Sequence, residues 1–459
     1  MLIGFSVSNY KSFYGSQSIS MLASKVTRHR EHVMQSEGRK ILKSALIFGA
    51  NAGGKSNLIH AVFFSKEVIL KGTERINLEK KHFRILNETY YQPGVFEYRI
   101  LTKGKEYSYG LAISYDKGEI LAEWLIRIEE NGKETYLYNR EVDENGRSRV
   151  STEIIQGQAE EEMRMKVYLE DFDKNISDAF RKKTILSDVA DRGNGKEGIF
   201  AEITNVHRWF RRLIILFPHT KYSGLGELTS DEEAKELFSD IIAYFDTGID
   251  SVEGQQQEMD FDKVLEKLPR ERAEKIKVDI SNKVREHPIQ MNINQKMYVL
   301  RRDEKGNIIY SKMLQNHGNL EDLFEYEDES DGTKRLFDLI PLFYESGDDS
   351  VILIDEIDRS LHTMATRRFL ELFYEFVEED KCQLIATTHD INLLDLDLLR
   401  QDEIWFVERK PDHSSQVYSL NKFRARFDKK VDKDYLLGRY GAIPVFQDEY
   451  LEGEETYEE

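Results

Sequence analysis

An eight-residue segment, 49–56 (GANAGGKS), limits what this chain can fold into more than any other stretch. It matches the pattern G-x-x-x-x-G-K-[ST], the phosphate-binding loop, which requires a buried strand before it and a helix after it. Residues 44–48 (SALIF) are typical of such a strand, and residues 57–64 (NLIHAVFF) are typical of the helix. Backbone amides of the loop attract phosphate oxygens. In such a loop Lys55 is expected to contact the β- and γ-phosphates, and the Ser56 hydroxyl is expected to bind Mg²⁺.

Two apolar segments in the last third of the chain each end in residues suited to nucleotide chemistry. Residues 351–356 read VILIDE, which predicts a buried parallel strand with two carboxylates at its carboxyl end, where α/β sheets bind their ligands. Asp355 is expected to hold Mg²⁺, directly or through water, and Glu356 to act as general base on the attacking water. The strand predicted at 383–389 ends in His389, which can contact the γ-phosphate.

The composition narrows the classes of protein to which the chain can belong. It has 459 residues, enough for two or three domains, and 65 basic against 84 acidic residues give a net charge of −19. Proteins that bind nucleic acid over a broad surface are usually basic, so any DNA or RNA contact is expected only from a local patch. Cys382 is the one cysteine, which excludes an intramolecular disulfide. Since no apolar run is long enough to span a membrane, we expect a cytoplasmic protein with no membrane partner.

Between these segments the residue pattern changes from strand to helix and back. Residues 1–13 predict a half-buried strand, 24–43 a solvated polar loop, and 83–151 an antiparallel β subdomain rich in aromatic and β-branched residues. The charged stretch 153–283 predicts helices, the clearest at 160–180, 201–213, 230–245 and 260–278. Residues 289–310 are again typical of strands, with a hairpin turn at 304–307.

The separation of the two nucleotide motifs favours one kind of ATPase. Most of the chain lies between Lys55 and Asp355, whereas ring-forming AAA+ enzymes and small GTPases keep these motifs much closer. The chain has no Asn-Lys-x-Asp guanine motif, so ATP is favoured over GTP. The spacing therefore predicts a long insertion between two halves of one nucleotide-binding fold.

Residues 329–335 (ESDGTKR) resemble the signature loop, Ser-x-Gly-[QT]-[KR]-[KR], of ATP-binding-cassette (ABC) heads of the RecF and SMC type. The opening residues 5–13 (FSVSNYKSF) resemble the first strand of RecF-like heads, and 360–362 (SLH) lie where that family has its D-loop. The resemblance implies that Ser330 and Gly332 contact the γ-phosphate held by the phosphate-binding loop of a second subunit. The family's Q-loop glutamine has no clear match in this sequence.

We therefore predict an α/β fold: an ABC-ATPase head, with a mixed sheet and an antiparallel β subdomain, interrupted by a mostly helical insertion. The predicted parts are 1–152 and 289–425 for the two halves of the head, 153–288 for the insertion, and 426–459 for an extension with an acidic tail. ATP is expected to contact Gly49, Ala50, Asn51, Ala52, Gly53, Gly54, Lys55, Ser56, Asn57, Ser330 and Gly332. Mg²⁺ is expected at Ser56 and Asp355, and catalysis at Lys55, Glu356 and His389.

More narrowly, residues 435–444 (YLLGRYGAIP) resemble a closing motif of compact prokaryotic ATPases related to the overcoming-lysogenization-defect (OLD) nucleases. That group supplies ATPase subunits to anti-phage systems such as PARIS, Septu and abortive-infection pairs. The stretch after His389 is too short for the Toprim domain of OLD nucleases. The resemblance thus implies an ATPase that self-associates with ATP and regulates a separate Toprim- or HNH-type nuclease or toxin. A DNA-repair or chromosome-maintenance ATPase, and a scaffold that binds ATP but barely hydrolyses it, remain as alternatives.

Overall fold

The chain forms two compact units. The first comprises Met1–Ile215, Asp348–Ile357 and Glu378–Glu459, and the second comprises Leu216–Gly347 and Asp358–Val377. The computed structural model describes residues 1–155, 160–173, 177–192, 198–219, 232–257, 270–271, 274, 289–293, 296–302, 308–345, 349–377, 381–423 and 430–444.

The described elements follow one another in an order that mixes strands and helices. The strands are β1 (Leu2–Ser8), β2 (Gln17–Ser20), β3 (Val33–Ser36), β4 (Arg39–Leu42), β5 (Ser44–Phe48), β6 (Gly94–Thr102), β7 (Lys105–Ile113), β8 (Ile120–Ile128), β9 (Glu134–Val142), β10 (Ser148–Ser151), β11 (Ile214–Leu216), β12 (Ser251–Gln257), β13 (Ile289–Ile293), β14 (Lys296–Arg302), β15 (Ile308–Asn316), β16 (Phe324–Glu325), β17 (Val351–Ile354), β18 (Gln383–Thr387), β19 (Ile404–Arg409) and β20 (Ser415–Ser419). The α-helices are α1 (Lys55–Lys71), α2 (Glu160–Glu170), α3 (Asp178–Arg181), α4 (Ile185–Arg192), α5 (Gly198–Arg212), α6 (Glu232–Tyr244), α7 (Asp331–Leu339), α8 (Leu342–Glu345), α9 (Thr363–Phe376) and α10 (Val431–Leu436). Short 3₁₀ helices lie at Arg30–His32, Asn87–Tyr91, Tyr326–Asp328, Ile391–Leu393, Gln401–Glu403 and Leu420–Phe423.

An antiparallel sheet of seven strands forms one half of the first unit. Its strand order is β10-β9-β8-β7-β6-β1-β2, so the meander predicted from the aromatic and β-branched runs is confirmed. The first strand ends at Ser8 rather than near residue 13, and Tyr10 and Phe13 form an isolated bridge beyond it. Burial alternates along β1, as expected for a strand with one face on the core.

A second sheet in this unit contains the parallel strands. Its order is β11-β17-β18-β5-β19-β20. The strand β18 pairs in parallel with β17 on one side and β5 on the other, and β5 also pairs in parallel with β19. Every residue of β5, β17 and β18 is buried, which explains their continuous apolar runs. The predicted buried parallel strands at 44–48 and 351–354 are therefore confirmed.

Helix α1 packs against the antiparallel sheet through an aromatic cluster. The Tyr98 ring lies 4.7 Å from the Phe5 ring and 5.0 Å from the Phe210 ring of α5. Its hydroxyl is 2.5 Å from the Ser65 hydroxyl of α1. This cluster fixes the helix that follows the phosphate-binding loop.

The second unit contains a separate antiparallel sheet of order β12-β15-β14-β13, with β16 added to β15. Strands β13 and β14 fall within the region predicted as strands at 289–310, whereas β15 begins there and continues to Asn316. The predicted hairpin turn at 304–307 lies outside the described residues. Helix α7 packs in this unit, where the Phe337 ring is 5.1 Å from Phe238 of α6 and 5.7 Å from Tyr326.

Helix positions agree with the sequence pattern in part. The helix predicted at 160–180 is two helices, α2 and α3, whereas α5 and α6 fall close to the bounds predicted at 201–213 and 230–245. Most of the helix predicted at 260–278 lies outside the described residues. Among the described helices, none combines the length and apolar character that crossing a membrane requires.

The solvated loop predicted over 24–43 is wrong. The hairpin β3–β4 occupies much of this segment, and Met34, Ile41 and Leu42 are buried. The basic residues of the segment hid this short apolar alternation, because they stand between the positions that face the core. A buried histidine, His32, precedes the hairpin.

Glu123 of β8 connects the antiparallel sheet to the helices behind it. It is fully buried, and its carboxylate accepts hydrogen bonds from the backbone amides of Ile185 (2.6 Å) and Leu186 (3.0 Å) at the start of α4. The hydroxyls of Tyr109 and Tyr138 also donate to it, at 3.1 and 3.0 Å. Burial raises the pKa of Glu123, while the two backbone amides act in the opposite direction.

The last turns of α1 contact the start of α4. Two hydroxyls, Thr184 Oγ1 and Ser187 Oγ, donate to the Ile69 carbonyl at 2.7 and 2.6 Å. Glu123 therefore caps α4, and the first turn of α4 in turn fixes the last turn of α1.

We predict that Glu123→Leu lowers the free energy of unfolding by at least about 3 kcal/mol, because two backbone amides and two tyrosine hydroxyls lose their buried acceptor. Urea denaturation followed by circular dichroism measures the change. Glu134→Gln, an exposed carboxylate on β9, is the control and is expected to stay within about 0.5 kcal/mol of the unsubstituted chain. Equal stability of the two variants would contradict the role of Glu123.

Candidate nucleotide site

The phosphate-binding loop connects β5 to α1 and requires glycine at two positions for different reasons. Gly49 has a φ of 152°, and a Cβ there would lie 2.2 Å from the Val407 carbonyl oxygen of β19. Gly54, the N-cap of α1, has a φ of 111°, and a Cβ there would lie 2.2 Å from Ser415 Oγ. A side chain at either position would push the loop away from the sheet, so the sequence pattern reflects close backbone packing.

Lys55 begins α1, and its side chain folds back over the loop. It is 4% exposed, and Nζ donates to the carbonyl oxygens of Gly49 (2.6 Å) and Ala50 (3.2 Å). The same ammonium lies 3.3 Å from Nδ1 of His389, which follows β18. The loop lysine and the histidine predicted from a distant segment thus meet in space.

Asp355 and Glu356 follow β17 and are fixed by one threonine that the sequence analysis did not identify. The Thr387 hydroxyl donates to Asp355 Oδ1 at 2.6 Å and accepts from the Glu356 backbone amide at 2.8 Å. Asp355 is 3% exposed and Thr387 is fully buried. The hydrogen bond from Thr387 fixes one carboxylate oxygen of Asp355. The chain turns sharply at the next residue, Glu356, which has a φ of 52°.

The Glu356 side chain turns towards the end of the neighbouring strand. Its Oε1 lies 3.7 Å from His389 Nε2, and both side chains are about one-third exposed. His389 is therefore within 4 Å of both Lys55 and Glu356. These side chains form one cluster at one edge of the sheet. They follow three adjacent strands, β17, β18 and β5.

The loop after β1 also reaches the phosphate-binding loop. Ser12 Oγ accepts a hydrogen bond from Asn57 Nδ2 at 2.8 Å, and the Ser12 carbonyl accepts from the Ser415 amide at 2.7 Å. Ser415 Oγ in turn donates to the Gly53 carbonyl at 2.7 Å. Ser415 lies in no recognisable motif, and the resemblance of residues 5–13 to RecF-like heads predicts no role for Ser12, so only the fold places both serines here.

Lys11 adds a positive charge beside this loop. Burial, with nearby Lys81 as a second cause, lowers the pKa of Lys11 to about 8, while Asp355 acts in the opposite direction. Burial, with Lys11 as a second cause, lowers the pKa of His60 in α1 to about 4. At neutral pH Lys11 is therefore mostly charged and His60 is neutral.

Asn9 organises residues 83–92, which contain Gln92, a glutamine without a clear Q-loop context. Its side-chain amide donates to the carbonyls of Thr89 (2.8 Å) and Gln92 (2.9 Å), and its Oδ1 accepts from the Phe83 amide at 3.1 Å. Gln92 is thus held through its backbone, and its side chain is exposed. These contacts assign Gln92 no chemical role.

Ser330 and Gly332 belong to the second unit. Ser330 is the N-cap of α7, and its Oγ accepts from the Thr333 amide at 3.1 Å. Ser330 is exposed, and a Cβ on Gly332 would lie 2.8 Å from the Ser360 carbonyl oxygen. The predicted signature residues therefore start a helix and pack against the segment predicted as the D-loop.

A phosphate-binding loop between a buried strand and a helix, with a carboxylate at the end of a parallel strand one strand further along the sheet, defines a P-loop nucleotide-binding domain. A family profile described as "AAA domain, putative AbiEii toxin, Type IV TA system" matches residues 44–167 and 217–395. These residues make up more than half of the chain, and the chain belongs to this family.

The chain is also similar to solved structures of Smc heads. A head bound to the C-winged helix domain of ScpA is 16% identical, with a TM-score of 0.39 over 91% of this chain and 97% of that one. The head domain from Thermotoga maritima is 15% identical, with a TM-score of 0.38 over 91% and 98%. A head with an extended coiled coil, bound to the C-terminal domain of ScpA derived from Pyrococcus furiosus, is 16% identical, with a TM-score of 0.35 over 92% and 97%. No curated protein sequence matches the chain significantly.

We predict that nucleotide affinity falls about tenfold between pH 7 and pH 9, because Lys11, with its pKa near 8, loses the charge that attracts the triphosphate. Calorimetric titration with a non-hydrolysable ATP analogue and Mg²⁺ measures this fall. In Lys11→Met the affinity is lower at pH 7 and nearly constant up to pH 9. Lys80→Met, an exposed lysine, is the control and keeps the full pH dependence. An unchanged profile in Lys11→Met would exclude Lys11 from the site.

Proposed function

We propose that this chain binds ATP with Mg²⁺ and hydrolyses it. The observation that carries the proposal is the convergence of Lys55, Glu356 and His389, with Asp355 fixed beside them by Thr387. Gly49, Ala50, Asn51, Ala52, Gly53, Gly54, Ser56 and Asn57 would surround the phosphates, with the amides at the start of α1 supplying positive potential.

The residues available for Mg²⁺ fit that ion. Ser56 supplies a hydroxyl oxygen and Asp355 a carboxylate, and hard oxygen ligands are those that Mg²⁺ prefers. Thr387 fixes Oδ1 of Asp355, so the orientation of the carboxylate is set before any ligand binds. Bound Mg²⁺ would neutralise charge on the phosphates, while Lys55 would bind the β- and γ-phosphates.

Glu356 is the group proposed to accept a proton from the attacking water. It is partly exposed at the end of β17, where a water molecule can approach it. His389 lies between this carboxylate and the Lys55 ammonium, a position suited to a hydrogen bond with the γ-phosphate. Hydrolysis would release ADP and phosphate.

The second part of the proposal is that ATP joins two heads. Ser330 is exposed at the N-terminus of α7, where a hydroxyl and the helix dipole favour an anion. Gly332 follows it in the first turn, and its close packing on Ser360 keeps this turn compact. Each signature segment would then contact the γ-phosphate bound by the partner, which makes association depend on ATP.

The output of this association is proposed to be control of a separate nuclease or toxin effector in prokaryotic anti-phage defence. The family description names a putative toxin of a type IV toxin–antitoxin system, which supports a defence context. The net charge of −19 supports a protein partner over a chain that acts directly on DNA.

If ATP joins two heads, Glu356→Gln, which retains ATP, is expected to double its mass in solution when ATP and Mg²⁺ are added. Adding Ser330→Asp to this variant is expected to abolish the dimer, because aspartate caps α7 as well as serine but repels the γ-phosphate. Light scattering measures the mass and circular dichroism the fold. Ser18→Ala, an exposed serine on β2, is the control in the same background. A dimer that persists in Ser330→Asp, or one that forms equally without ATP, would rule out ATP-dependent association through Ser330.

The defence role predicts that cells carrying this chain and its adjacent genes restrict at least one phage, and that Lys55→Ala returns plaque counts to those of empty cells. The loss follows because the variant lacks the ammonium that binds the phosphates. Efficiency of plating over a phage panel is the measurement, with Lys80→Ala as the control. Protection that survives Lys55→Ala, or no protection by the intact genes, would contradict this role.

A further inference from the structure

A cluster of two histidines and one glutamate lies in the first unit, apart from the nucleotide site. His29 precedes the 3₁₀ helix Arg30–His32, and all three side chains, His29, Glu31 and His32, face one another. His29 Nδ1 lies 3.3 Å from Glu31 Oε1, and His32 Nε2 lies 3.9 Å from the same oxygen. Each of the three residues offers one possible ligand atom, and these atoms lie within 4.8 Å of one another.

Each histidine ring is held on its outer side by an acceptor. His29 Nε2 is 3.0 Å from the Leu396 carbonyl oxygen, and His32 Nδ1 is 3.0 Å from Glu403 Oε2. A neutral imidazole donates from one nitrogen only, so a ring that donates to its outer acceptor keeps its second nitrogen as a possible metal ligand. That second nitrogen, His29 Nδ1 or His32 Nε2, is the one nearer to Glu31.

A cation held between two imidazole nitrogens and a carboxylate would be attracted by all three groups. We propose that His29, Glu31 and His32 bind a divalent transition metal ion of the Zn²⁺ class. Two histidines with one carboxylate are a common ligand set for Zn²⁺, with a fourth position left for water or another ligand. Imidazole nitrogen disfavours Mg²⁺ and Ca²⁺, which separates this site from the magnesium site at Ser56 and Asp355.

The carboxylate that contacts His32 is of the kind that orients histidine ligands in metal sites. Glu403 is fully buried, and it also accepts from Ser44 Oγ at 3.0 Å and from the Arg400 amide at 2.8 Å. A carboxylate that orients a ligating histidine raises the basicity of the ring and fixes its tautomer. The His32 ring is itself buried and stacks on His29 with centroids 4.9 Å apart.

The position of the cluster suggests what the ion would do. Ser44 begins β5, and the phosphate-binding loop follows the other end of that strand, roughly 16 Å away for five residues. The Lys43 amide donates to the His32 carbonyl at 2.9 Å. A bound ion would therefore join the turn at residues 29–32 to the segment 396–403 and stabilise the start of the strand that carries the loop.

The test uses the full-length chain without an affinity tag and without nucleotide, titrated with Co²⁺ as a spectroscopic substitute for Zn²⁺. We expect one equivalent per chain, with the intense visible absorption of tetrahedral Co²⁺, displaced by one equivalent of Zn²⁺. His29→Asn and Glu31→Gln are expected to weaken binding at least about tenfold. Both positions are at least partly exposed, so the variants should fold, which circular dichroism checks.

The control for His29→Asn is His413→Asn. Both histidines have left-handed backbone conformations, with φ of 47° and 63°, which asparagine tolerates, so the two substitutions differ only in position. His413→Asn and Asp355→Asn are expected to keep full Co²⁺ binding. Binding that survives His29→Asn and Glu31→Gln, or is lost in Asp355→Asn, would overturn the proposal. So would the absence of stoichiometric binding, which would mean that a proton, and not a metal, balances the cluster.

Discussion

Parallel pairing of β18 with β17 and β5 is the interaction on which the candidate nucleotide site depends. The register places Ile47 opposite Thr387 and Ile354 opposite Ala386, so the three strands end at the same edge of the sheet. Residues far apart in the chain meet only because these ends coincide. A slip of one residue in either pairing would turn every side chain of the strand to the other face and separate Lys55 from His389.

Three buried carboxylates use the same physical principle at different places in the first unit. Asp355 accepts from Thr387, Glu123 from the start of α4, and Glu403 from Ser44 and the Arg400 amide. A buried carboxylate is tolerated only where donors replace its lost hydration, and each of these recruits donors from distant segments. Long-range positioning in this unit thus depends on a few buried acids in addition to the apolar core.

The sequence predicted the parts of the site that have local patterns. The phosphate-binding loop and the strand before Asp355 are visible as short motifs, because their conformation depends on neighbouring residues. Thr387 and Lys11 were missed, since a threonine in a buried strand and a lysine after the first strand have no local signal that separates them from others. Thr387 matters because of its hydrogen bond to Asp355, and Lys11 because its charge lies near Asp355, and both relations depend on strand order.

Dependence on distant partners also explains why the polar loop predicted over 24–43 is wrong. Six basic residues dominated its composition, while burial of Met34, Ile41 and His32 depends on partners elsewhere in the unit. One of those partners, Glu403, lies near the other end of the chain. Composition describes the solvent-facing positions of such a segment and carries little information about the few that face inward.

The path of the chain gives β17 a mechanical role. Residues 348–357 belong to the first unit, while the residues on both sides of them belong to the second. Two of the four points at which the backbone passes between the units therefore lie at the two ends of this short strand. The strand that carries Asp355 and Glu356 is thus also a tether, and tension on it would act directly on the two carboxylates.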